Sequence, residues 1–312
     1  MTKRFALTGM AGYIAPRHLK AIRDTGNTLA AALDVSDSVG IVDSYFPDAE
    51  FFTEPERFEA HLEAERDRGA GMDYLSICTP NYLHGPHIRM AFRVGADAIC
   101  EKPLVLTTAE IDALREAEAR SGHRVWTILQ LRVHPALVAL RERLASRQED
   151  TDVVLTYITG RGKWYRRSWK VREDLSGGLA TNIGVHFFDM LSWFFGPAEQ
   201  MEVHLRTPTR MGGFLRLGRA RVRWFLSIDI DDVPAELRAQ GQRTYRSITI
   251  DGEEIEFSGG FTDLHTEVYR RTLAGQGFGL DDAAEAIRIT EYLRHAEPVS
   301  PGAATRHPFL EA

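Results

Sequence analysis

The sequence predicts an α/β protein in which a Rossmann-type, doubly wound parallel sheet is followed by an α+β domain with a large, mostly antiparallel open sheet. Up to about residue 125, short apolar strands alternate with amphipathic helices, as parallel strands joined by crossover helices require. Beyond Arg132, long strands of alternating polarity dominate, which is typical of antiparallel sheets with one solvated face. We therefore expect two domains, over residues 1–125 and 126–312.

The strands and helices of the first domain follow one another closely. Strands are predicted at the segments RFALTG, TLAAALDV, YLSICTP and DAICEKP, with VWTILQL as the closing strand. Helices are predicted near residues 16–25, 54–68, 85–94 and 108–121. Pro16 suits the first turn of its helix, because proline lacks the amide hydrogen that would go unpaired there.

The second domain consists mainly of long strands. They are predicted at DVVLTYITG, MEVHLRT, RARVRWFLSIDI and YRSITIDGEEIEF, with Asp251 and Gly252 forming a hairpin turn. Helices are predicted near residues 261–273 and 281–295. In the third strand Phe225 shares a face with Arg221 and Arg223, and an aromatic side chain there favours contact with another subunit. The alternative is a solvated face.

Composition and charge limit the classes of partner. The 312 residues carry a net charge of −6 with acidic and basic residues mixed, so we expect no binding to nucleic acid. No apolar run reaches the roughly 18 residues of a membrane span and no signal-peptide core precedes the first strand, so we expect a cytoplasmic protein. Cys78 and Cys100 lie near the ends of predicted buried strands and are expected to be free thiols, without a disulfide or a metal site.

The segment ALTGMAGYIAPRHL joins a strand to a helix through small residues, where backbone amides and the helix dipole can hold a pyrophosphate. With Gly9 as the first glycine, Ala11 and Ile14 occupy the later glycine positions of G-x-G-x-x-G. Gly12 restores close backbone approach if the turn has one extra residue. The alternative is an ordinary tight turn.

An acidic residue follows at a suitable distance. Asp34 ends the second strand 25 positions after Gly9, near the interval at which an acid meets the adenosine ribose of a dinucleotide. Because a carboxylate there repels a 2′-phosphate, the sequence predicts NAD rather than NADP as the cofactor. The alternative is a solvated turn residue.

Two sets of polar residues indicate chemistry, one at the sheet edge and one on a later apolar helix. Asn81, His84, Glu101 and Lys102 follow parallel strands and are expected to face one crevice. The apolar segment GGLATNIGVHFFDMLSWFFG carries Asn182 four residues before His186, on one face of a helix with Asp189 nearby. Taken alone, each residue has an ordinary structural explanation. A buried histidine usually just forms hydrogen bonds with neighbouring groups, and a lysine at a strand end usually keeps its ammonium in water. Beside a dinucleotide turn, Lys102 and His186 predict a proton-handling pair in a dehydrogenase.

These motifs resemble a known family. The patterns T-P-N-x-x-H, E-K-P and a helix with Asn or Asp four residues before His are similar to the glucose-fructose oxidoreductase and inositol dehydrogenase superfamily. Within it, segments over nearly the whole chain resemble the bacterial UDP-N-acetyl-glucosaminuronate 3-dehydrogenases; they include YLSICTPNYLHGPHI, ATNIGVHFFDML and FTDLHTEVYRRTLAGQGFGLDDA.

The resemblance implies that NAD⁺ oxidises the 3-hydroxyl of UDP-N-acetyl-glucosaminuronic acid to a ketone, on a route to sugars of surface polysaccharides such as O-antigen. It also implies a homotetramer, tight NAD(H) retention and, in some members, recycling of NADH by reduction of 2-oxoglutarate. Lys102 matches the active-site lysine and His186 the active-site histidine. The positions that match cofactor-binding residues are Gly12, Tyr13, Ile14, Asp34, Asn81, His84 and Glu101, with Lys102 beside them.

Asn182 stands where many sugar-oxidising members of the superfamily have an aspartate. An amide carries no negative charge with which to tune a neighbouring base, so the asparagine weakens any transfer from inositol dehydrogenases. The group of 3-dehydrogenases shares it.

The substrate's anionic groups require local cations. The segment GRGKWYRRSWKVR interleaves basic and aromatic side chains, from which we select Tyr165 and Lys170 as substrate contacts, together with Lys102, Asn182 and His186. The alternative is a solvated basic loop. Arg17 and His18, just after the phosphate turn, are weaker candidates that could act across a subunit boundary.

Two other functions remain open from the sequence. One is an NAD-dependent dehydrogenase of another nucleotide sugar or a polyol, and the other is an NAD-binding sensor without catalysis. In the enzyme, His186 is the expected base and Lys102 the expected stabiliser of the developing alkoxide, although the roles could be exchanged.

We expect Asp34→Ala to relax the discrimination against NADP, because the substitution removes the carboxylate that repels a 2′-phosphate. Fluorescence titrations of the wild-type protein and the variant with NADH and NADPH measure this. Unchanged affinities for both would leave Asp34 as a turn residue only.

Overall fold

The computed structural model describes residues 2–147, 149–255 and 263–310, which form two compact units. One unit comprises Met1–Val133 and Phe261–Ala284, and the other His134–Gly260 and Glu285–Ala312. The chain therefore passes between the units three times, whereas the sequence suggested a single division after residue 125.

The first unit is a parallel sheet with helices between its strands. Its elements up to Val133 are β1 (Arg4–Thr8), α1 (Ala15–Asp24), β2 (Thr28–Leu33), β3 (Glu50–Phe52), α2 (Pro55–Asp67), β4 (Tyr74–Ile77), α3 (His84–Arg93), β5 (Asp97–Cys100), α4 (Thr108–Ser121) and β6 (Val125–Thr127). The strand order is β3-β2-β1-β4-β5-β6, with every pair parallel. This order is that of a Rossmann fold and confirms the predicted fold class. The unpredicted β3 is a three-residue edge strand, too short to show a pattern.

Neighbouring strands of this sheet end at the same level. Thr8 of β1 pairs with Leu33 of β2 and Ile77 of β4, and Ile77 pairs with Cys100 of β5. The loops that follow therefore leave one edge of the sheet, where open α/β folds bind their ligands. The segments at this edge begin at residues 9, 34, 78 and 101.

The second unit is a sheet with helices at its connections. Its elements are α5 (Pro135–Ala145), β7 (Thr151–Thr159), α6 (Glu173–Ser176), a π-helical turn (Ala180–Gly184), α7 (Val185–Phe195), β8 (Ala198–Arg206), β9 (Arg210–Leu217), β10 (Ala220–Ser227), α8 (Ala235–Ala239), β11 (Thr244–Ile250) and β12 (Glu253–Glu254). The strand order is β12-β11-β7-β10-β9-β8. Among the described strands of this sheet, β7 and β10 pair in parallel and the other neighbours pair antiparallel. The prediction of a mostly antiparallel sheet is confirmed.

Two local features of this sheet bear on the sequence predictions: a hairpin turn that was predicted and a strand that was not. Asp251 and Gly252 have φ of 51° and 85°, as the predicted two-residue hairpin turn between β11 and β12 requires. Strand β9 was not predicted, because its adjacent glycines Gly212 and Gly213 have low strand propensity. A Cβ at Gly213 would lie 2.0 Å from the carbonyl oxygen of Glu202, so the close approach of β8 requires glycine there.

The chain then adds α9 (Leu264–Leu273) and α10 (Leu280–His295). The predicted strand and helix ends at residues 256, 257, 261 and 262 lie outside the described residues. Helix α9 packs in the first unit, where Val268 and Tyr269 join the apolar cluster that contains Phe5 and Leu19. Its apolar stripe predicts a helix but does not say which sheet it covers, so the sequence assigned it to the wrong half of the fold.

The charged face of β10 is covered within its own unit. Phe225 is 2% exposed and stacks on His307 and Phe309, with ring centroids 5.7 and 5.4 Å away. Arg221 donates a hydrogen bond to the carbonyl oxygen of Ala304. Residues of the same chain therefore cover Phe225, and its position on a charged face no longer indicates a subunit contact.

Two expectations from composition concern the whole chain. Cys78 and Cys100 are buried free thiols. Among the helices that the structure describes, none combines the length and the apolar character needed to cross a bilayer.

We expect Gly213→Ala to lower the free energy of unfolding by about 3 kcal/mol, because the new methyl group would force β8 and β9 apart. Urea denaturation measures the change. Gly40→Ala is the matched control, since a Cβ there meets nothing within 4 Å and should alter stability by less than about 0.5 kcal/mol. Equal stability of the two variants would contradict the close approach.

Candidate active site

The turn after β1 is held close to the end of β4. Gly9 has φ of +84°, and a Cβ there would lie 2.6 Å from the carbonyl carbon of Cys78. At Gly12 a Cβ would lie 2.9 Å from the carbonyl oxygen of Gly9, to which the Gly12 amide donates a hydrogen bond of 3.0 Å. The two glycines thus supply the tight turn and the bare backbone that a pyrophosphate needs, although the spacing is not G-x-G-x-x-G.

Helix α1 starts directly after this turn. Ile14 precedes its first residue, Pro16 lies in its first turn as expected, and no acidic side chain occupies that turn. The amide groups of the helix start therefore present positive potential beside the glycines. Tyr13 is 90% exposed at the same place.

Asp34 connects the end of β2 to the glycine turn. One carboxylate oxygen accepts the amide hydrogen of Ala11 and the other that of Ser36, each at 2.9 Å. A carboxylate has further acceptor capacity on both oxygens, so these bonds leave room for hydroxyl donors. The residue is therefore more than a solvated turn, because it fixes the glycine turn relative to β2.

His84 joins the loops that leave β4 and β5. Its Nε2 lies 2.9 Å from the carbonyl oxygen of Thr79, and its Nδ1 lies 2.7 Å from that of Pro103. Burial lowers the pKa of His84, and the two carbonyl oxygens oppose that effect. Asn81 is buried in the first of these loops, and the Lys102–Pro103 peptide bond is cis in the second.

Glu101 lies at the centre of a buried polar cluster. Its Oε1 is 2.9 Å from Nε2 of both His18 and His265. The Tyr269 hydroxyl is 2.7 Å from Nδ1 of His18 and 2.7 Å from Oγ of Ser76. Burial acts to raise the pKa of Glu101, but the hydrogen bonds and charges of the two imidazoles hold it well below its usual range.

This cluster corrects one expectation and adds two residues. His18 is completely buried inside the first unit, so it is not a candidate for contact across a subunit boundary. Neither His265 nor Tyr269 was predicted from the sequence. Their spacing of four residues on a helix was the available signal, but nothing in the pattern connected that helix with Glu101.

In the second unit, the segment before α7 folds around glycines. Gly177 and Gly178 have positive φ, and the π-helical turn follows them. At Gly184 a Cβ would lie 2.8 Å from the side chain of Leu226, so glycine lets the start of α7 lie tightly on β10. Single π-helical turns are frequent at functional sites.

The polar residues predicted on this segment lie at the same helix end. Asn182 belongs to the π-helical turn and donates a hydrogen bond of 2.8 Å from Nδ2 to the Tyr165 hydroxyl. Tyr165 is buried, and this burial raises the pKa of its hydroxyl. His186 is the second residue of α7 and half-buried, whereas Asp189 is buried.

The basic segment after β7 borders a pocket of about 100 Å³ that Tyr165, Lys170, Arg206 and Arg294 help to line. The Lys170 ammonium lies 4.2 Å from the ring centroid of Trp169. Burial lowers the pKa of Lys170, and the charge of Arg161 lowers it further. The segment is therefore not uniformly solvated, and Tyr165 and Lys170 share one pocket.

The candidate residues fall into two groups. The first unit holds those that follow β1, β2, β4 and β5, which are Gly12, Tyr13, Ile14, Asp34, Asn81, His84, Glu101 and Lys102. The second unit holds Tyr165, Lys170, Asn182 and His186.

Comparison with known proteins identifies the family. Residues 3–129 match the NAD-binding Rossmann fold of the GFO/IDH/MocA oxidoreductase family, and residues 151–216 match its C-terminal alpha/beta domain. The WlbA (WbpB) dehydrogenase from Thermus thermophilus, in complex with NAD and UDP-GlcNAcA, is 66% identical, with a TM-score of 0.96 over 99% of this chain and 100% of that one. The chain belongs to the GFO/IDH/MocA oxidoreductase family.

A second structure of this GFO/IDH/MocA dehydrogenase from Thermus thermophilus contains NAD and alpha-ketoglutarate; it is 67% identical, with a TM-score of 0.96 and the same coverage. A curated family relative, the putative UDP-kanosamine synthase oxidoreductase subunit from Amycolatopsis mediterranei, is 29% identical over 60% of this chain and 51% of its own length. The chain spans about half the length of the curated relatives it matches. Family membership confirms the predicted oxidoreductase class and the NAD-binding fold.

We expect the Lys170 amine to titrate at lower pH than that of Lys20. Burial lowers the pKa of Lys170, whereas a hydrogen bond to Asp24 raises the pKa of the exposed Lys20. A lower pKa leaves more unprotonated amine at a given pH, so Lys170 should react faster with acetic anhydride. Peptide mass spectrometry after labelling across a pH series measures both. An equal or higher titration pH for Lys170 would argue against its partly buried position.

Proposed function

We propose that this protein oxidises the 3-hydroxyl of UDP-GlcNAcA to a ketone with NAD⁺ and regenerates NAD⁺ by reducing 2-oxoglutarate to 2-hydroxyglutarate. One observation carries the proposal: near-complete overlap at 66% and 67% identity with a dehydrogenase whose structures contain NAD with UDP-GlcNAcA and NAD with alpha-ketoglutarate. The product would enter the biosynthesis of surface-polysaccharide sugars.

The edge of the first unit fits a dinucleotide. Gly9 and Gly12 leave bare backbone where a Cβ would clash, and Asp34 has acceptor capacity for ribose hydroxyls. Tyr13 and Ile14 flank the start of α1, and the remaining proposed cofactor residues, Asn81, Glu101 and Lys102, follow β4 and β5. Both ring nitrogens of His84 contact backbone carbonyls, so its contribution is to fix the two loops.

NAD⁺, when bound, supplies the hydride acceptor. His186 takes the proton of the sugar 3-hydroxyl, and Lys102 donates a hydrogen bond to that oxygen. The cation stabilises the alkoxide character that develops as the proton leaves, and positioned groups of this kind contribute about 10² to 10⁴-fold each. During reduction of the keto acid the same groups return the proton.

The second unit supplies the substrate contacts. Tyr165 and Lys170 border a pocket whose other cations, Arg206 and Arg294, suit a diphosphate or a carboxylate. Asn182 orients the Tyr165 hydroxyl through its hydrogen bond. The domain roles, a cytoplasmic location and a homotetramer belong to the same proposal.

The purified protein should form NADH, detected by its near-ultraviolet absorbance, when UDP-GlcNAcA is added with NAD⁺. With 2-oxoglutarate present, 2-hydroxyglutarate should accumulate along with the 3-keto sugar, both measured by mass spectrometry. The absence of both products would favour a non-catalytic NAD-binding sensor. A strong preference for myo-inositol would favour a polyol dehydrogenase.

Lys102→Ala and His186→Asn should each lower kcat at least about 100-fold, because each removes a group that acts on the proton of the reacting hydroxyl. Lys20→Ala is the control, since this lysine forms exposed ion pairs with Asp24 and Asp263. NADH affinity should persist in all three variants. Near-normal turnover in either site variant removes that residue from the mechanism.

A further inference from the structure

The cluster around Glu101 brings together three segments that are far apart in the sequence. His18 lies on α1, Glu101 follows β5, and His265 lies on α9. His18 is fully buried, and the other two are nearly so. Burying three ionisable side chains is costly unless each is paired, so their hydrogen bonds must be satisfied within the cluster.

The two oxygens of the carboxylate have different partners. Oε1 accepts hydrogen bonds of 2.9 Å from Nε2 of both imidazoles, and Oε2 accepts a hydrogen bond of 3.2 Å from the backbone amide of Lys102. Glu101 therefore connects the histidine pair on one side with the backbone of the lysine on the other. A shift of the carboxylate would move the hydrogen-bond acceptor that holds the Lys102 main chain.

The ionised carboxylate determines which imidazole nitrogens carry a hydrogen. An ionised carboxylate only accepts, so Nε2 carries the hydrogen in both imidazoles. Burial lowers the pKa of His18, and burial raises the pKa of Tyr269 well above its usual value. The Tyr269 hydroxyl lies between Nδ1 of His18 and Oγ of Ser76, 2.7 Å from each, and a tyrosine hydroxyl can donate one of these hydrogen bonds and accept the other.

We propose that His18 and His265 are positioning residues for Lys102, which they act on by fixing Glu101. The inference rests on the proposed function, in which Lys102 hydrogen-bonds the reacting oxygen. A misplacement of about 1 Å at a reacting group costs about 100-fold in rate, so a tether on the lysine backbone has a kinetic consequence.

The decisive comparison is between two substitutions of one histidine. His265→Gln keeps an N–H donor for Glu101, whereas His265→Met fills similar space without one. We expect His265→Met to lower kcat by about 10- to 100-fold with little change in NADH affinity, and His265→Gln to restore most of the loss. Tyr269→Phe, which removes the hydroxyl that hydrogen-bonds His18 and keeps the ring, should have a smaller effect in the same direction.

A second readout follows Lys102 without any substrate. The rate at which its amine reacts with acetic anhydride should differ at least about twofold between His265→Met and wild type, because moving the lysine changes the surroundings of its amine, and His265→Gln should reverse the change. In a Glu101→Gln background, adding His265→Met should change this rate by less than about twofold, because the carboxylate that couples them is gone.

His123→Met is the matched control. His123 pairs with Asp97 at the opposite, amino-terminal end of β5, with 3.3 Å between Nδ1 and Oδ1. It is an imidazole–carboxylate contact on the same strand but away from Lys102. Turnover and Lys102 labelling should both match wild type in this variant.

The outcomes separate the two proposals. Failure of wild-type protein to oxidise UDP-GlcNAcA refutes the proposed function, and the labelling of Lys102 still decides the positioning role. That role is refuted if His265→Met leaves both kcat and labelling within about twofold of wild type. Stoichiometric zinc in the purified protein, lost in His265→Gln, would also refute it, because the ligand atoms of His18, Glu101 and His265 lie within 4.8 Å of one another and would then be metal ligands.

Discussion

A buried carboxylate is stable only when hydrogen-bond donors compensate it, and in the first unit this requirement connects segments far apart in the sequence. Glu101 is paired with His18, 83 residues before it, and with His265, 164 residues after it. Loss of one partner would leave a buried charge undercompensated, which typically costs about 3–5 kcal/mol. The positions of α1 and α9 on the sheet are therefore coupled to a residue at its ligand-binding edge.

Close backbone approach is the second constraint, and glycine meets it in both units. Gly9 lets the turn after β1 reach the backbone that follows β4, and Gly184 lets the start of α7 lie against β10. Each place carries candidate site residues immediately afterwards. At both places a side chain would block the close packing that positions the candidate site residues. These glycines are therefore required by packing as well as by the local backbone conformation.

The two units contribute different kinds of information about function. The parallel sheet with its glycine turn is general to a large family whose Rossmann fold binds NAD. The segment between β7 and α7 in the second unit holds the aromatic, basic and amide side chains that we propose as substrate contacts. The proposed substrate therefore depends on the 66% and 67% identity with the Thermus thermophilus dehydrogenase over nearly the whole chain, whereas the NAD-binding fold follows from family membership.

The sequence by itself determined the alternation of strands and helices in the Rossmann-type half, the Asp251–Gly252 turn and the residues that follow the parallel strands, because periodicity and turn chemistry depend on neighbours in the chain. It missed β9, whose paired glycines hide a strand, and it placed α9 in the second half of the molecule. Only the tertiary structure brought His265 to Glu101 and covered Phe225 with the C-terminal segment. Such contacts depend on which helix and sheet surfaces pack against each other. An apolar stripe or a single histidine in the sequence does not specify its packing partner.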